Sequence, residues 1–373
     1  MNGTIDKNNQ ITIMQKYFYQ VIMIYQHVCY VNKARLMQGL LQPNKILVGS
    51  VILSLISMII LSVAIHEILV KSEPAYAAYA TLHLFNFAAA GDWACTSDTI
   101  NTVKNIIYKN PELILGLGDY SYHNTADCWL NIVNFIDEKM KISIGNHDDE
   151  YNGNASLPLL NQYMSHFGLT KQYYSFNYQN IHFLVMSTEL PLEIGSEQYN
   201  FVNSDLANAA SDPNIDWIVV YYHKAIYFSP LSFIHTAKDY ELFVTLRDTY
   251  HPLFSKYHVD IVLQGHNHNY ERSYPIMYNN IGNSSNPIIT DTNINNYNDP
   301  EGQIFAIVGT GGHNDLFNFT GKAPYIAEQY YGYGFLNLDV INGGTFSTIR
   351  GNFYANDETV KDKFTITKST ISS

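Results

Sequence analysis

A chain of 373 residues is long enough for one large domain or two ordinary ones, with a sizeable core. With 46% hydrophobic and 14% aromatic residues, 30 of them tyrosine, the composition is not that of a disordered protein. The formal net charge is −12 and unevenly spread: residues 72–373 carry 15 Lys and Arg against 31 Asp and Glu, a net of −16. That excludes nucleic-acid binding through general electrostatics, and an anionic substrate would need a local cationic centre of the kind a metal ion supplies.

Residues 1–45 read as a short cytoplasmic N-terminal segment in which Lys7, Lys16, Lys33, Arg35 and Lys45 face a single acid, Asp6. Residues 46–65, ILVGSVILSLISMIILSVAI, form an uncharged apolar run of 20. A helix needs about 20 such residues to cross the hydrocarbon of a bilayer, so residues 46–70 are expected to be a transmembrane anchor, with the basic flank inside. A buried core helix would be shorter and carry a polar face. The other alternative is a cleaved signal sequence starting at Met37 and ending in the small residues of EPAYAAYA. Both exporting readings put the rest of the chain outside the cytoplasm, membrane-anchored or secreted. KSEPAYAAYA, residues 71–80, reads as a linker, and residues 81–373 as one domain.

Within that domain LHLFNFAAAGD predicts a strand, TSDTINTVKNIIYKN a helix starting on a Ser or Thr cap, and ELILGLGD a second buried strand. CWLNIVNFIDEK predicts the next helix and MKISIGNHDD the next strand. KQYYSFNYQNIHFLVMST reads as a hairpin turning at Gln179-Asn180. EQYNFVNSDLANAA and YELFVTLRDTYHPLFSKY then predict helices, IDWIVVYYH and VDIVLQGHNH strands. GQIFAIVGTGG, YGFLNLDVIN and TFSTIRGNFY continue as strands. This rhythm predicts an α/β fold, a two-sheet β-sandwich flanked by helices, with functional loops at the strand ends. Of three cysteines, Cys29 precedes the apolar run; Cys95 and Cys128 lie in the exported part and could pair or remain free thiols.

Five apolar runs end in loops carrying polar residues, where folding can assemble a metal site. They are AAGDWAC with Asp92, LGLGDYSY with Asp119 and Tyr122, SIGNHDD with Asn146 and His147, VVYYHK with His223, and QGHNHNYER with His266 and His268. A lone Gly-Asp after a strand is usually only a turn, but five such blocks in order are not. They match GD, GDxxY, GNH[DE], VxxH and GHxH, the ordered pattern of the calcineurin-like metallophosphoesterases, and within them the chain resembles the purple acid phosphatases over about residues 82–365. Many relatives in the wider superfamily carry Asp-x-His in the first block, whereas this chain has Asp92-Trp93-Ala94. Tyr122 stands where the purple acid phosphatases have their tyrosinate and would replace the missing ligand.

The resemblance implies a metallophosphoesterase catalytic domain over 81–373 with a dinuclear centre. Asp92, Tyr122, His268 and a bridging Asp119 would hold one metal; Asn146, His223, His266 and Asp119 would hold the other. Carboxylate and phenolate oxygens suit Fe(III), and an amide oxygen with two imidazoles suits Zn, Fe(II) or Mn. The implied activity is hydrolysis of phosphate monoesters with a metal-bound hydroxide, as in acid phosphatases. A phosphodiesterase or nucleotide hydrolase on the same scaffold, or a non-catalytic phosphate-binding surface protein, are the alternatives. His147, Asp148 and His235 are the catalytic candidates, His147 to bind phosphate or protonate the leaving group. His313 and His123 are lesser candidates, and Glu271 and Arg272 are expected to pair and brace the last block. Many plant-type members carry a β-sandwich domain before the catalytic one, and here the anchor and linker occupy that region.

Overall fold

The structure, a computed structural model, describes residues 83–149, 157–343 and 345–369. The chain runs through β1 (His83–Ala90), α1 (Ser97–Lys109), β2 (Leu113–Gly116), α2 (Asp127–Val133), β3 (Met140–Ile142), α3 (Leu157–His166), β4 (Tyr174–Tyr178) and β5 (Ile181–Val185). It continues through α4 (Glu197–Ser211), β6 (Trp217–Tyr221), α5 (Ala237–Lys256), β7 (Ile261–Gln264), β8 (Tyr270–Ser273), β9 (Ile276–Met277) and β10 (Ile288–Ile289). The last elements are β11 (Asn296–Asn298), β12 (Ile304–Val308), β13 (Ile326–Tyr330), β14 (Gly334–Asn342), β15 (Phe346–Ala355) and β16 (Val360–Ser369).

Two seven-stranded sheets form, in the orders β11-β16-β15-β14-β1-β2-β3 and β13-β8-β12-β7-β6-β5-β4. In the first, β1, β2 and β3 are mutually parallel. In the second, β5, β6, β7 and β12 are. Period-2 alternation explains why these strands are apolar throughout. Phe183, Val185, Val219, Tyr221, Ile261 and Leu263 enter the core that also contains Phe87, Leu115 and Leu338 of the first sheet. The intervening Leu184, Val220 and Val262 join a second core with Val202 and Leu206 of α4 and Leu246, Tyr250 and Phe254 of α5. The α/β sandwich expected from the sequence is therefore present.

The transmembrane part of that expectation is corrected. Among the described residues no helix is long and apolar enough to cross a membrane. The longest, α5 with 20 residues, contains Lys238, Asp239, Glu241, Arg247, Asp248 and Lys256. The run 46–65 lies outside the described residues, as do Cys29 and the linker.

Other differences are local. The helix expected over 128–139 stops at Val133 with a cap at Asn134, and a separate 3-10 turn follows at Asp137–Lys139; Phe135 between them is exposed, so the apolar periodicity fails there. Glu271 and Arg272 do not pair, because neighbours on a strand point to opposite faces. Arg272 instead makes a two-pronged pair with Asp362, at 2.6 Å from Nε and 3.0 Å from Nη2, while Tyr270 Oη donates to the same carboxylate at 2.7 Å. Glu271 accepts from the Ser229 backbone N–H at 3.1 Å.

Candidate metal centre

The C-terminal ends of parallel strands from both sheets meet, as is usual for sites on α/β sheets. Gly91 N after β1 donates to Val308 O at the end of β12 at 2.9 Å, and Gly265 N after β7 donates to His223 O after β6 at 2.8 Å. The chain turns sharply at each end. Asp92, Asp119, Tyr122 and His266 all have left-handed backbones, with φ of 58, 56, 55 and 67°. Non-glycine residues rarely occupy that region, and strain of this kind gathers at functional sites. The glycines beside them answer a different need, close approach: a Cβ on Gly265 would stand 2.6 Å from Asp92 Oδ2, and one on Gly145 would collide with Asp119 Oδ1.

Six of the seven candidate ligands come together here, and Asn146 lies in the turn whose His147 N–H bonds Asp119. Tyr122 Oη lies 3.2 Å from Asp92 Oδ1, 3.2 Å from Asp119 Oδ2 and 3.1 Å from His268 Nε2, and His268 Nε2 is 3.3 Å from Asp92 Oδ1. Asp119 Oδ2 is also 3.1 Å from His223 Nε2, which is 3.3 Å from His266 Nδ1. Donors about 2.0–2.2 Å from a shared ion stand about 3 Å apart, so both clusters have the spacing of a coordination shell. Asn146 Oδ1 is buried with no hydrogen-bond partner among the described residues. An orphaned carbonyl oxygen in a turn whose flanking N–H groups, of Gly145 and His147, bond Asp148 and Asp119 suits a cation.

Neighbouring groups aim the ligands. His223 Nδ1–H donates to Leu117 O at 2.8 Å and His268 Nδ1–H to Asp315 O at 2.6 Å, which turns each Nε2 lone pair toward the centre. Asp92 Oδ2 accepts His266 N–H, and Asp119 Oδ1 accepts His147 N–H, both at 2.8 Å. Asp148 accepts three backbone N–H groups, from Asp119 at 2.7 Å, Tyr120 at 2.9 Å and Gly145 at 2.9 Å. Its carboxylate thus ties the second ligand loop to the third.

Electrostatics follow from this crowding. Burial, then Asp119 and Asp92, push the Tyr122 phenol well above its usual range. Burial, then His223 and His235, hold His266 well below the usual histidine value, in the neutral form that can ligate. Burial acts against charge on His223, but Asp119 beside it wins and raises it to about 10.

The other candidates fall on both sides of the boundary. His147 lies with its ring 4.4 Å from that of Tyr122. His235, buried immediately before the Thr236/Asp239 capping box of α5, stacks 5.2 Å from His266 and contacts Asn267 Oδ1 through Nε2 at 2.9 Å. His123 stands instead against Cys95 and Cys128. Those two cysteines are joined in a disulfide that links the loop after β1 to the start of α2.

A sixth strand end was missed as a unit. After β12, Gly311 N donates to Gly91 O at 2.8 Å, and Gly312 N and His313 N donate to Asp92 O at 3.1 and 3.0 Å. The His313 ring is 4.0 Å from Tyr122 and 4.5 Å from His268, and Phe317 stacks on His268 at 4.3 Å. The signal was available, since GQIFAIVGTGG has the same apolar run and glycine turn as the other blocks.

The chain is also similar to known phosphoesterases. The calcineurin-like phosphoesterase family model matches residues 85–270. Purple acid phosphatase 15 of Arabidopsis thaliana is 26% identical over 267 residues, 61% of this chain and 45% of that protein. Fe(3+)-Zn(2+) purple acid phosphatase 12 of the same plant is 26% identical over 311 residues, 73% of this chain and 62% of that protein. The chain thus spans roughly half the length of such relatives. The solved structure of a purple acid phosphatase from yellow lupin (Lupinus luteus) seeds shares the fold, with a TM-score of 0.62 at 23% identity over 76% of this chain and 54% of that one. The chain belongs to the calcineurin-like phosphoesterases and is similar within them to purple acid phosphatases.

Proposed function

We propose that this chain is a dinuclear-metal phosphoesterase that hydrolyses phosphate monoesters in the manner of an acid phosphatase. The observation that carries the reading is the pair of donor clusters sharing Asp119 Oδ2, which lies 3.2 Å from Tyr122 Oη and 3.1 Å from His223 Nε2. Asp92, Tyr122, His268 and Asp119 would hold one metal and Asn146, His223, His266 and Asp119 the other. Oxygen-rich ligation on the tyrosine side favours Fe(III), and the amide and two imidazoles favour Zn, Fe(II) or Mn, in line with the name of the Fe(3+)-Zn(2+) relative. Such a pair supplies positive charge against the phosphate and acidifies the attacking water.

The chain's own residues do the rest. His147, held beside Tyr122 by its backbone bond to Asp119, would donate a proton to a phosphoryl or leaving-group oxygen. His235, resting on His266, would meet the substrate from the other side. Asp148 positions the Asp119 and Asn146 loops through its three backbone bonds. The disulfide fits an oxidising compartment, and we place the domain outside the cytoplasm on that ground.

The test is turnover of p-nitrophenyl phosphate against bis-p-nitrophenyl phosphate, with metal analysis of the same purified protein. Two metals per chain and a preference for the monoester are expected. A diester preference would move the assignment to a phosphodiesterase, and two bound metals with no turnover would leave a phosphate-binding protein.

A further inference from the structure

Exposed apolar side chains scattered singly are ordinary, but a cluster beside a polar site points to a ligand. Among the described residues fourteen large hydrophobic side chains are exposed, and four of them, Phe233, Ile234, Tyr240 and Val244, fall within twelve residues bordering the metal centre. Phe233 is 46% and Ile234 82% exposed. They directly precede His235, which rests on the ligand His266.

Their placement is built. Phe233 lies parallel to Phe317 at 4.2 Å, and Phe317 in turn is stacked on the ligand His268 at 4.3 Å, so three rings form a column running outward from the centre. The backbone under both phenylalanines is tied together: Ser232 N donates to Asn318 O at 2.7 Å, Thr320 N to Pro230 O at 2.9 Å, and Leu231 bridges Phe319. The loop before His235 and the loop after Asp315 therefore present one wall, and its half-exposed ring stands two rings away from a metal ligand. A phosphoryl group held at the centre leaves its ester substituent to lie against whatever lines the exit, and here that lining is aromatic.

We propose that Phe233 and Ile234, backed by Phe317, form a leaving-group subsite that selects phosphate esters of aromatic alcohols over esters of small aliphatic ones. This rests on the phosphoesterase reading of the centre. A substrate ring stacks on Phe233 while Ile234 covers its edge, and contacts of this type are worth roughly three- to tenfold in binding.

The test uses two esters whose alcohols have similar acidity, 2-phenylethyl phosphate and ethyl phosphate, so that the ratio of their kcat/KM reports the ring alone. The wild type should favour the phenylethyl ester by about tenfold. Phe233→Ala and the more exposed Ile234→Ala should each lower that ratio, and Phe233→Trp should restore it. In parallel, calorimetry should show benzylphosphonate binding more tightly than methylphosphonate, with the difference shrinking in Phe233→Ala. An equal ratio in the wild type, or one unchanged in both alanine variants, overturns the subsite and leaves the phosphoesterase reading standing. Absence of turnover with the benzylphosphonate preference intact, and lost in Phe233→Ala, supports the subsite while removing the phosphoesterase reading.

Discussion

Asp119 and His223 meet at 3.1 Å between Oδ2 and Nε2, both side chains buried, at the point where the loops of the two sheets join. The same oxygen faces Tyr122, so a single carboxylate serves both donor clusters. Asp119→Asn should therefore release both metals, not one, and lower kcat by more than about 100-fold. Elemental analysis decides it: two metals retained per chain would contradict a bridging role.

Tyr122 allows a more selective perturbation. Phenylalanine removes only the oxygen that faces Asp92, Asp119 and His268, leaving the ring against His147 and His313. Iron-loaded protein should be coloured through phenolate-to-iron charge transfer, and Tyr122→Phe should bleach the band and weaken iron binding while the His223 and His266 site keeps its metal. Tyr120 is the control, because its hydroxyl donates to Ser143 O at 2.6 Å, away from the ligands. A band that survives Tyr122→Phe would remove the tyrosine from the centre.

The disulfide closes a sequence separation of 33 between Cys95, three residues after Asp92, and Cys128 in α2. On the chain-entropy estimate Cys95→Ser with Cys128→Ser should cost about 3 to 4 kcal/mol of stability. Denaturant unfolding should show a lower midpoint in the double variant and in reduced wild type alike. Unchanged midpoints, or two thiols labelled in native protein from its own compartment, would refute the link.

His251 is buried in α5 between Tyr227 Oη at 2.8 Å and Gln303 Oε1 at 3.0 Å. Burial lowers it to about 4, with the Gln303 bond opposing and Arg247 assisting. A histidine depressed in the folded state binds fewer protons there than when unfolded, so its contribution is complete above about pH 6.5 and is lost as pH falls toward 4. The loss should approach about 3 kcal/mol. In His251→Gln that acid-dependent loss should disappear, so the stability gap between wild type and variant should narrow from pH 6.5 to 4. A gap that is constant with pH would show that His251 titrates alike in the folded and unfolded chain, and would overturn the depression.

The sequence by itself determined the class of fold and picked out the candidate donors, because both readings are local. Apolar alternation identifies a strand within a few residues, and each of Asp92, Asp119, Tyr122, Asn146, His223, His266 and His268 sits within a few residues of a strand end, so order along the chain already groups them. What lay between those blocks was less legible. Neither α3 nor the strand β16, which supplies Asp362 to Arg272, was foreseen, although Phe364 and Ile366 alternate with threonines in β16.

Only the tertiary structure decided which loops touch. Gly312 and His313 hold the Asp92 carbonyl across more than 200 residues, Asp315 aims His268, and Asp148 turns out to brace backbone rather than face the ligands. These contacts arise where β1 of one sheet meets β12 of the other. Pairing between distant strands is set by how two sheets pack their cores, and no spacing within a single segment encodes it. The stacked column of Phe233, Phe317 and His268 is of the same kind: two phenylalanines in no sequence motif join a motif histidine to make one wall once folded.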